Sequence, residues 1–273
     1  MNRADLNFMM DQAANEGWNP GLYDADTFYE ADQNGFFVAE IEGKQIGCIS
    51  LVKYDETFAF LGFFIVLPEY RGKGIGYQLW QHAIKYAEGC NIGLDGVVDQ
   101  QENYKKSGFK FAYNNSRYEF EKTTNYIEPA NVIQINEIAI NDLCEYDKTC
   151  FPTYRKTFLK NWISQPDSAA FASRNKQLLE GYIVVRKCRN GYKIGPLFAD
   201  TSAQAEDLLI SAISCLPIGE KVYLDIPEIN PAAVRLVQKY KMQKVFETAR
   251  MYTLDFPNID LHKIFGVTTF ELG

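Results

Sequence analysis

Apolar side chains recur at helical spacing at the start of the chain, at Leu6, Met9, Met10 and Ala13. That spacing predicts an amphipathic helix over residues 3–16, with Asp5 suited to its first turn. "GWNPGLYDADTFYEAD" reads as a loop followed by a short helix. The pattern then shortens to strand periods. "GFFVAEIEGKQIGCISLVKYD" reads as two strands joined at the turn-rich "EGKQ", and "TFAFLGFFIVLP" as a strongly apolar strand. A helix is predicted from about 74 to 88. "CNIGLDGVV" is a further strand, "QQENYKKSGF" a short helix stopped by Gly108, and "KFAYNNSRYEFEK" a closing strand. Strands flanked by helices in this order predict an α/β fold with a mixed (α+β) sheet.

The second half repeats the plan. "NPAAVRLVQKYKM" at 230–242 lies 133 residues after the helix ending in "NYKKSGF", which sets Val237 on Tyr104, Met242 on Phe109 and Arg250 on Arg117. The same shift sets Gly195 on Gly62, and "GLDGV" (93–97) and "YLDIP" (223–227) precede the two late helices. Landmarks recurring in one order at one shift predict two copies of one fold. The polar stretch 121–131, with Pro129, is the predicted linker region, giving domains 1–125 and 126–273.

Composition narrows the function. The chain has 273 residues, 47% hydrophobic and 23% charged, with a net charge of -7 and no dense basic run, which argues against a nucleic-acid surface. An acidic chain favours a cationic small-molecule partner. Six scattered cysteines without a CxxC pair point to neither a disulfide framework nor a metal site. No apolar run is long enough to span a membrane, and the first residues lack a signal-peptide core, so a cytoplasmic protein is expected.

"IVLPEYRGKGIGYQLW" (65–80) is the densest chemical signal. Gly72, Gly74 and Gly76 permit tight turns and close backbone approach, and the helix that follows offers unpaired N–H groups. Together these cradle phosphate oxygens, with Arg71 and Lys73 adding charge at the rim. The bland alternative is a glycine-rich turn entering a helix. Neither GxxxxGK[ST] nor GxGxxG fits the spacing.

With "NYKKSGF" following in the right order, this stretch resembles the acyl-CoA motif of the GNAT N-acetyltransferase superfamily. The opening "EGWNPGLYDADTFY", with "GLDGV" and the repeated second half, is further similar to tandem GNAT proteins of the YitH type. The resemblance implies two tandem GNAT-like domains, the second degenerate. It also implies a V-shaped opening between central strands that takes acetyl-CoA as cosubstrate, with no metal. The backbone of Arg71, Gly72, Lys73, Gly74, Ile75 and Gly76 would hold the pyrophosphate, and donors near Ile65 and Val66 would face the thioester. Tyr104 matches the family's tyrosine near the sulfur, a general acid; otherwise it is a packing residue. A GNAT domain usually opens with a strand, whereas here the helical pattern begins almost at Met1. Either that strand is missing or the recorded start lies inside the natural chain.

The base is less marked, because the strand before the glycine loop carries no acid after Glu56. Asp95 is one candidate; a turn-forming Asp before Gly96 is the alternative. Asp24 and Asp26 follow, and a water chain with no single base stays open. Trp18, Tyr23 and Asp24 are candidate acceptor-site residues, and His82 reads as structural. In the second half "QAEDLL" (204–209) is set against "RGKGIG", and Val237 against Tyr104, which predicts no CoA binding there. The function expected is acetyl transfer to the amine of a small molecule. The alternatives are a CoA-binding regulatory module without turnover and a transferase acting on a protein or peptide amine.

Overall fold

The computed structural model describes residues 1–176 and 178–273. Helix α1 (Leu6–Asn15) buries Leu6, Met9, Met10 and Ala13, the stripe its sequence spacing predicts, and α2 (Asp24–Ala31) follows. Strands β1 (Phe36–Ile41) and β2 (Lys44–Lys53) form the expected hairpin. Its turn residues Glu42 and Gly43 are both left-handed (φ 51° and 78°), the combination that matches strand twist in a two-residue hairpin loop. Then come β3 (Phe58–Val66), α3 (Ile75–Tyr86), β4 (Asn91–Val97), α4 (Gln101–Lys106) and β5 (Lys110–Glu121).

The second half runs β6 (Val132–Gln134), α5 (Ile140–Asp147), α6 (Lys156–Trp162), β7 (Ser168–Asn175), β8 (Leu178–Lys187) and β9 (Tyr192–Ala199). It continues with α7 (Ser202–Ser214), β10 (Lys221–Pro227), α8 (Pro231–Lys239), β11 (Gln243–Tyr252) and β12 (Ile264–Gly266). The mixed α/β sheet and the doubled plan are therefore as predicted. The division at 125/126 falls between β5 and β6.

The two halves share one sheet, ordered β1-β2-β3-β4-β11-β5-β10-β9-β8-β7-β6, with β12 paired to β9. Strand β11 of the second half lies against β4 of the first, and β5 of the first lies against β10 of the second. Each half thus lends its late strand to the other. No strand precedes α1 among the described residues, whereas β6 precedes α5. The sheet's first edge is consequently β1, where the Met1 amino group donates to the Phe36 carbonyl at 2.8 Å.

The core has a layer on each face of the sheet. α1, α2, α5 and α6 bury one layer around Phe28, Phe63, Phe158 and Trp162. On the other face α3 packs on Ile49, Leu51 and Leu94, while α7 and α8 pack on Ile183, Ile194 and Leu224. A fully buried large apolar side chain contributes about 1.5–3 kcal/mol, so these layers supply the main driving force.

The 133-residue register holds late in each half. Met242 N donates to Val237 O at 3.0 Å, as Phe109 N does to Tyr104 O at 3.1 Å. It fails earlier, where residues 204–209 lie inside α7 rather than opposite the glycine loop. The segment 67–74 joins β3 to α3, whereas Asp200 and Thr201 alone join β9 to α7. The counterpart of the 67–74 connection is thus only two residues long in the second half.

Candidate active site

Strands β3 and β4 run parallel and paired from Phe58 and Asn91 to Leu61 and Leu94, then part. The cause lies in β3. Ser50 pairs with Gly62 and Cys48 with Ile65, so Phe63 and Phe64 oppose Ile49 alone. This bulge holds Phe63 at φ 49°, rare for an aromatic residue, and turns β3 away from β4. Between the diverging strands lies a cleft of about 660 Å³.

The glycine loop forms one end of this cleft. Gly74, at φ 80°, caps α3 with no side-chain hydrogen bond, so the N–H groups of the first turn stay free for an anion. Gly72 is also left-handed (φ 74°), and a methyl group at either position would meet nothing. Their requirement is conformational. Gly76 differs, since a Cβ there would stand 3.3 Å from Phe64, where α3 packs closely on β3. Ile65, Val66, Arg71, Gly72, Gly74 and Gly76 line the cleft, while Lys73 and Ile75 do not. The Lys73 ammonium sits over the Tyr70 ring. Arg71 is half exposed at the edge of the cleft, donating to Val66 O at 2.7 Å and to Glu16 at 2.5 Å. An open helix N-terminus beside a left-handed glycine turn fits a pyrophosphate.

The counterpart in the second half is closed three times over. The Thr201 hydroxyl caps α7 by accepting from Gln204 N. The connecting loop is short. The gap where β9 leaves β10 is filled by β12, with Ile264 paired to Phe198 and Gly266 to Leu197.

Tyr104 stands on the opposite wall. Its ring stacks on Trp80 (5.8 Å, 24°) and covers Gly96, where a Cβ would come within 2.2 Å of the ring. The hydroxyl has no hydrogen-bond partner among the described residues. Burial pushes its pKa up to about 12, which keeps the phenol neutral and able to donate a proton.

Asp95 does not reach the cleft as a free carboxylate. It lies within β4, not in a turn, and its side chain is 0% exposed. Arg250 of β11 grips it through two 2.7 Å hydrogen bonds, and Asn115 adds a third at 2.8 Å. Alternation along the strand is the reason: Leu94 packs toward α3 while Asp95 points to the other face. Burial raises its pKa, against the pull of Arg250. The second half mirrors this pair with Asp225 and Arg117, at 2.7 and 2.8 Å. There burial also works upward, but Arg117 overcomes it and the Asp225 pKa is lowered.

Of the expected acceptor-site residues, Trp18 lines the cleft. Its carbonyl also accepts from Arg117 at 2.8 Å and Lys193 at 3.2 Å. Asp24 lies elsewhere, buried in an ion pair with Arg186 and accepting from Gly21 N. Tyr23 reaches Asp167 at 3.4 Å, and Asp26 pairs with Arg3 on the surface. His82 is exposed on α3 against Phe37, away from the cleft.

Sequence reasoning missed every cleft residue that the second half supplies: Phe246, Thr248, Phe270 and Glu271. All belong to the second half and arrive through β11 and the segment after β12. Nothing local marked them. Only the fact that "TTFELG" is polar and apolar by turns, with no turn or helix signal, set that segment apart. Among the described residues no group of three or more His, Cys, Asp or Glu is arranged to hold a metal, and no helix is long and apolar enough to cross a membrane.

Two family models match the chain: "Acetyltransferase (GNAT) family" over residues 5–109 and "Acetyltransferase (GNAT) domain" over 143–266. The chain is 30% identical over 258 residues to the holothin acyltransferase of Pseudoalteromonas sp. (strain SANK 73390), covering 94% of this chain and 88% of that one. A putative acetyltransferase from Pyrococcus horikoshii superposes with a TM-score of 0.85 at 23% identity, covering 100% of this chain and 94% of that one. A tandem GNAT protein from the clavulanic acid biosynthesis pathway superposes with a TM-score of 0.64 at 14% identity, covering 92% and 94%. At these identities the two structures speak for the fold.

Proposed function

The chain belongs to the GNAT acetyltransferase family, and on that premise we propose that it transfers the acetyl group of acetyl-CoA to the amine of a small molecule. The observation that carries this reading is the uncapped α3 N-terminus opening into the same cleft as a neutral, unpartnered Tyr104. Bound there, acetyl-CoA would supply an activated thioester. The chain's own residues divide the remaining work. Backbone N–H groups of 71–76 bind the pyrophosphate. The stretch of β3 freed from β4, around Ile65 and Val66, offers backbone donors to the acyl end. Tyr104 gives a proton to the departing sulfur.

Asp95 is a positioning group in this scheme, holding β11 to β4 through Arg250. The second half binds no CoA and instead completes the acceptor side. A 30% identical relative named holothin acyltransferase supports acyl transfer as the reaction. Within the family we assign the chain to the tandem proteins of YitH type on its opening loop and "GLDGV", acting in the cytoplasm.

Titration calorimetry with acetyl-CoA tests the site. One molecule should bind per chain, and Gly74→Glu, which adds an anion at the pyrophosphate, should abolish the heat in a folded protein. Two sites per chain, or unchanged affinity in Gly74→Glu, would overturn the assignment.

A further inference from the structure

After β12 the chain crosses from the second half into the cleft of the first. Val267 N donates to Asp225 O, Arg155 holds Thr268 at 2.8 Å, and Tyr54 holds the Leu272 carbonyl at 2.9 Å. Thr269 Oγ1 accepts from Glu271 N and Leu272 N, fixing a tight turn. This strap passes so close to the point where β3 and β4 part that a Cβ on Gly62 would stand 2.1 Å from the Glu271 carbonyl oxygen.

Glu271 is 5% exposed and lines the cleft. Its carboxylate makes no hydrogen bond or ion pair among the described residues. The neighbouring cations Arg117, Arg186 and Lys193 offset its charge through space but make their hydrogen bonds elsewhere, and Arg186 Nη1 makes none. Arg117 pairs with Asp225 and the Trp18 carbonyl, and Arg186 pairs with Asp24. Lys193 donates to the Trp18 carbonyl. A buried carboxylate that accepts no hydrogen bond is costly even with cations near it, and an amine donating from the cleft would relieve that cost. Around it the walls are Trp18, Phe246 and Phe270, together with Thr248, whose buried hydroxyl has no partner.

We propose that Glu271 is the acceptor-binding carboxylate, and that the acceptor is a monoamine carried on a flat apolar body. This rests on the acetyltransferase reading above. Glu271 receives the ammonium, takes its proton and passes it to water in the cleft. The freed amine nitrogen forms a bond to the thioester carbonyl carbon as the carbon–sulfur bond breaks, and its surplus N–H proton leaves by the same route through Glu271 to water. The sulfur leaves with the Tyr104 proton, which solvent restores. The products are an amide, free CoA thiol and one proton. A second carboxylate on the acceptor would face Glu271 and Glu16, and a second ammonium would have to be desolvated against aromatic rings.

The test uses the whole protein with benzylamine, phenylglycine and spermidine as acceptors, reading thiol release from acetyl-CoA. Benzylamine should exceed each of the others at least tenfold in kcat/KM. Glu271→Gln should raise its KM at least tenfold and leave acetyl-CoA affinity within twofold. A wild-type measurement guards against a variant that fails to fold: benzyl alcohol should compete at least tenfold more weakly than benzylamine binds. Preference for phenylglycine or spermidine, no turnover of benzylamine, equal binding of the alcohol, or an unchanged KM in folded Glu271→Gln would each overturn the proposal. So would a parallel loss of CoA affinity, which would make Glu271 a cosubstrate contact. Wild-type protein that binds no acetyl-CoA would instead fail the parent reading, so the two failures are distinct.

Discussion

Tyr104 shows how one side chain is prepared by its neighbours. Trp80 and Gly96 sandwich its ring, and burial lifts its pKa to about 12. The form required is the protonated one, which persists below the pKa. Turnover should therefore show no alkaline fall from Tyr104 below about pH 11, and a pH profile of kcat checks this. Tyr104→Phe keeps the stacking and removes the proton, so kcat should fall roughly 10- to 1000-fold with little change in the acetyl-CoA KM. Gly96→Ala tests the placement instead of the proton. Its methyl would collide with the ring, so kcat should drop while the hydroxyl remains, with overpacking costing about 1–3 kcal/mol in a denaturant titration.

At the level of elements, two helix N-termini built on one plan have opposite fates. α3 starts at a left-handed glycine with no cap, and α7 starts at a threonine that caps itself. Gly74→Ala adds a side chain at φ 80°, at a cost of roughly 1–2 kcal/mol. Since the Cβ meets no neighbour, that cost falls on loop geometry. Acetyl-CoA Kd should rise about 5- to 30-fold by calorimetry, with thermal stability nearly kept. Thr201→Ala should do the reverse, losing about 1 kcal/mol of stability without touching CoA affinity.

For the molecule as a whole, the exchanged strands β5 and β11 matter most. They carry Arg117 and Arg250 to Asp225 and Asp95 of the opposite half, so two buried ion pairs sit at the seam. Asp95→Asn leaves the Arg250 charge buried without its partner and should cost about 3–5 kcal/mol in a denaturant titration. The apolar double variant Asp95→Leu with Arg250→Met should recover much of that loss, which a mere base would not predict. A fragment of residues 1–125 would leave β4 and β5 without β11 and β10. It should lack the near-ultraviolet circular dichroism of packed aromatic rings, whereas the full chain should unfold in one transition.

Local chemistry was legible in the chain because it depends on neighbours in sequence. The stripe of α1, the hairpin at Glu42–Gly43, the glycine loop and the doubled plan all rest on spacing within a few residues or on repetition of it. Such patterns fix backbone geometry directly. The acceptor side was not legible. Asp95 and Glu271 are both acidic residues near glycines, and nothing in their flanks separates them. The fold does, because strand alternation turns Asp95 under Arg250 while the strap brings Glu271 across some two hundred residues of chain to Gly62. Asp24 and Tyr23 likewise meet partners in the other half, Arg186 and Asp167. Sequence alone thus marked the left-handed turn and the open helix start, since these need only neighbouring residues. Which carboxylate is left without a hydrogen bond beside the cleft was decided by tertiary structure, since that depends on which donors the fold brings to it.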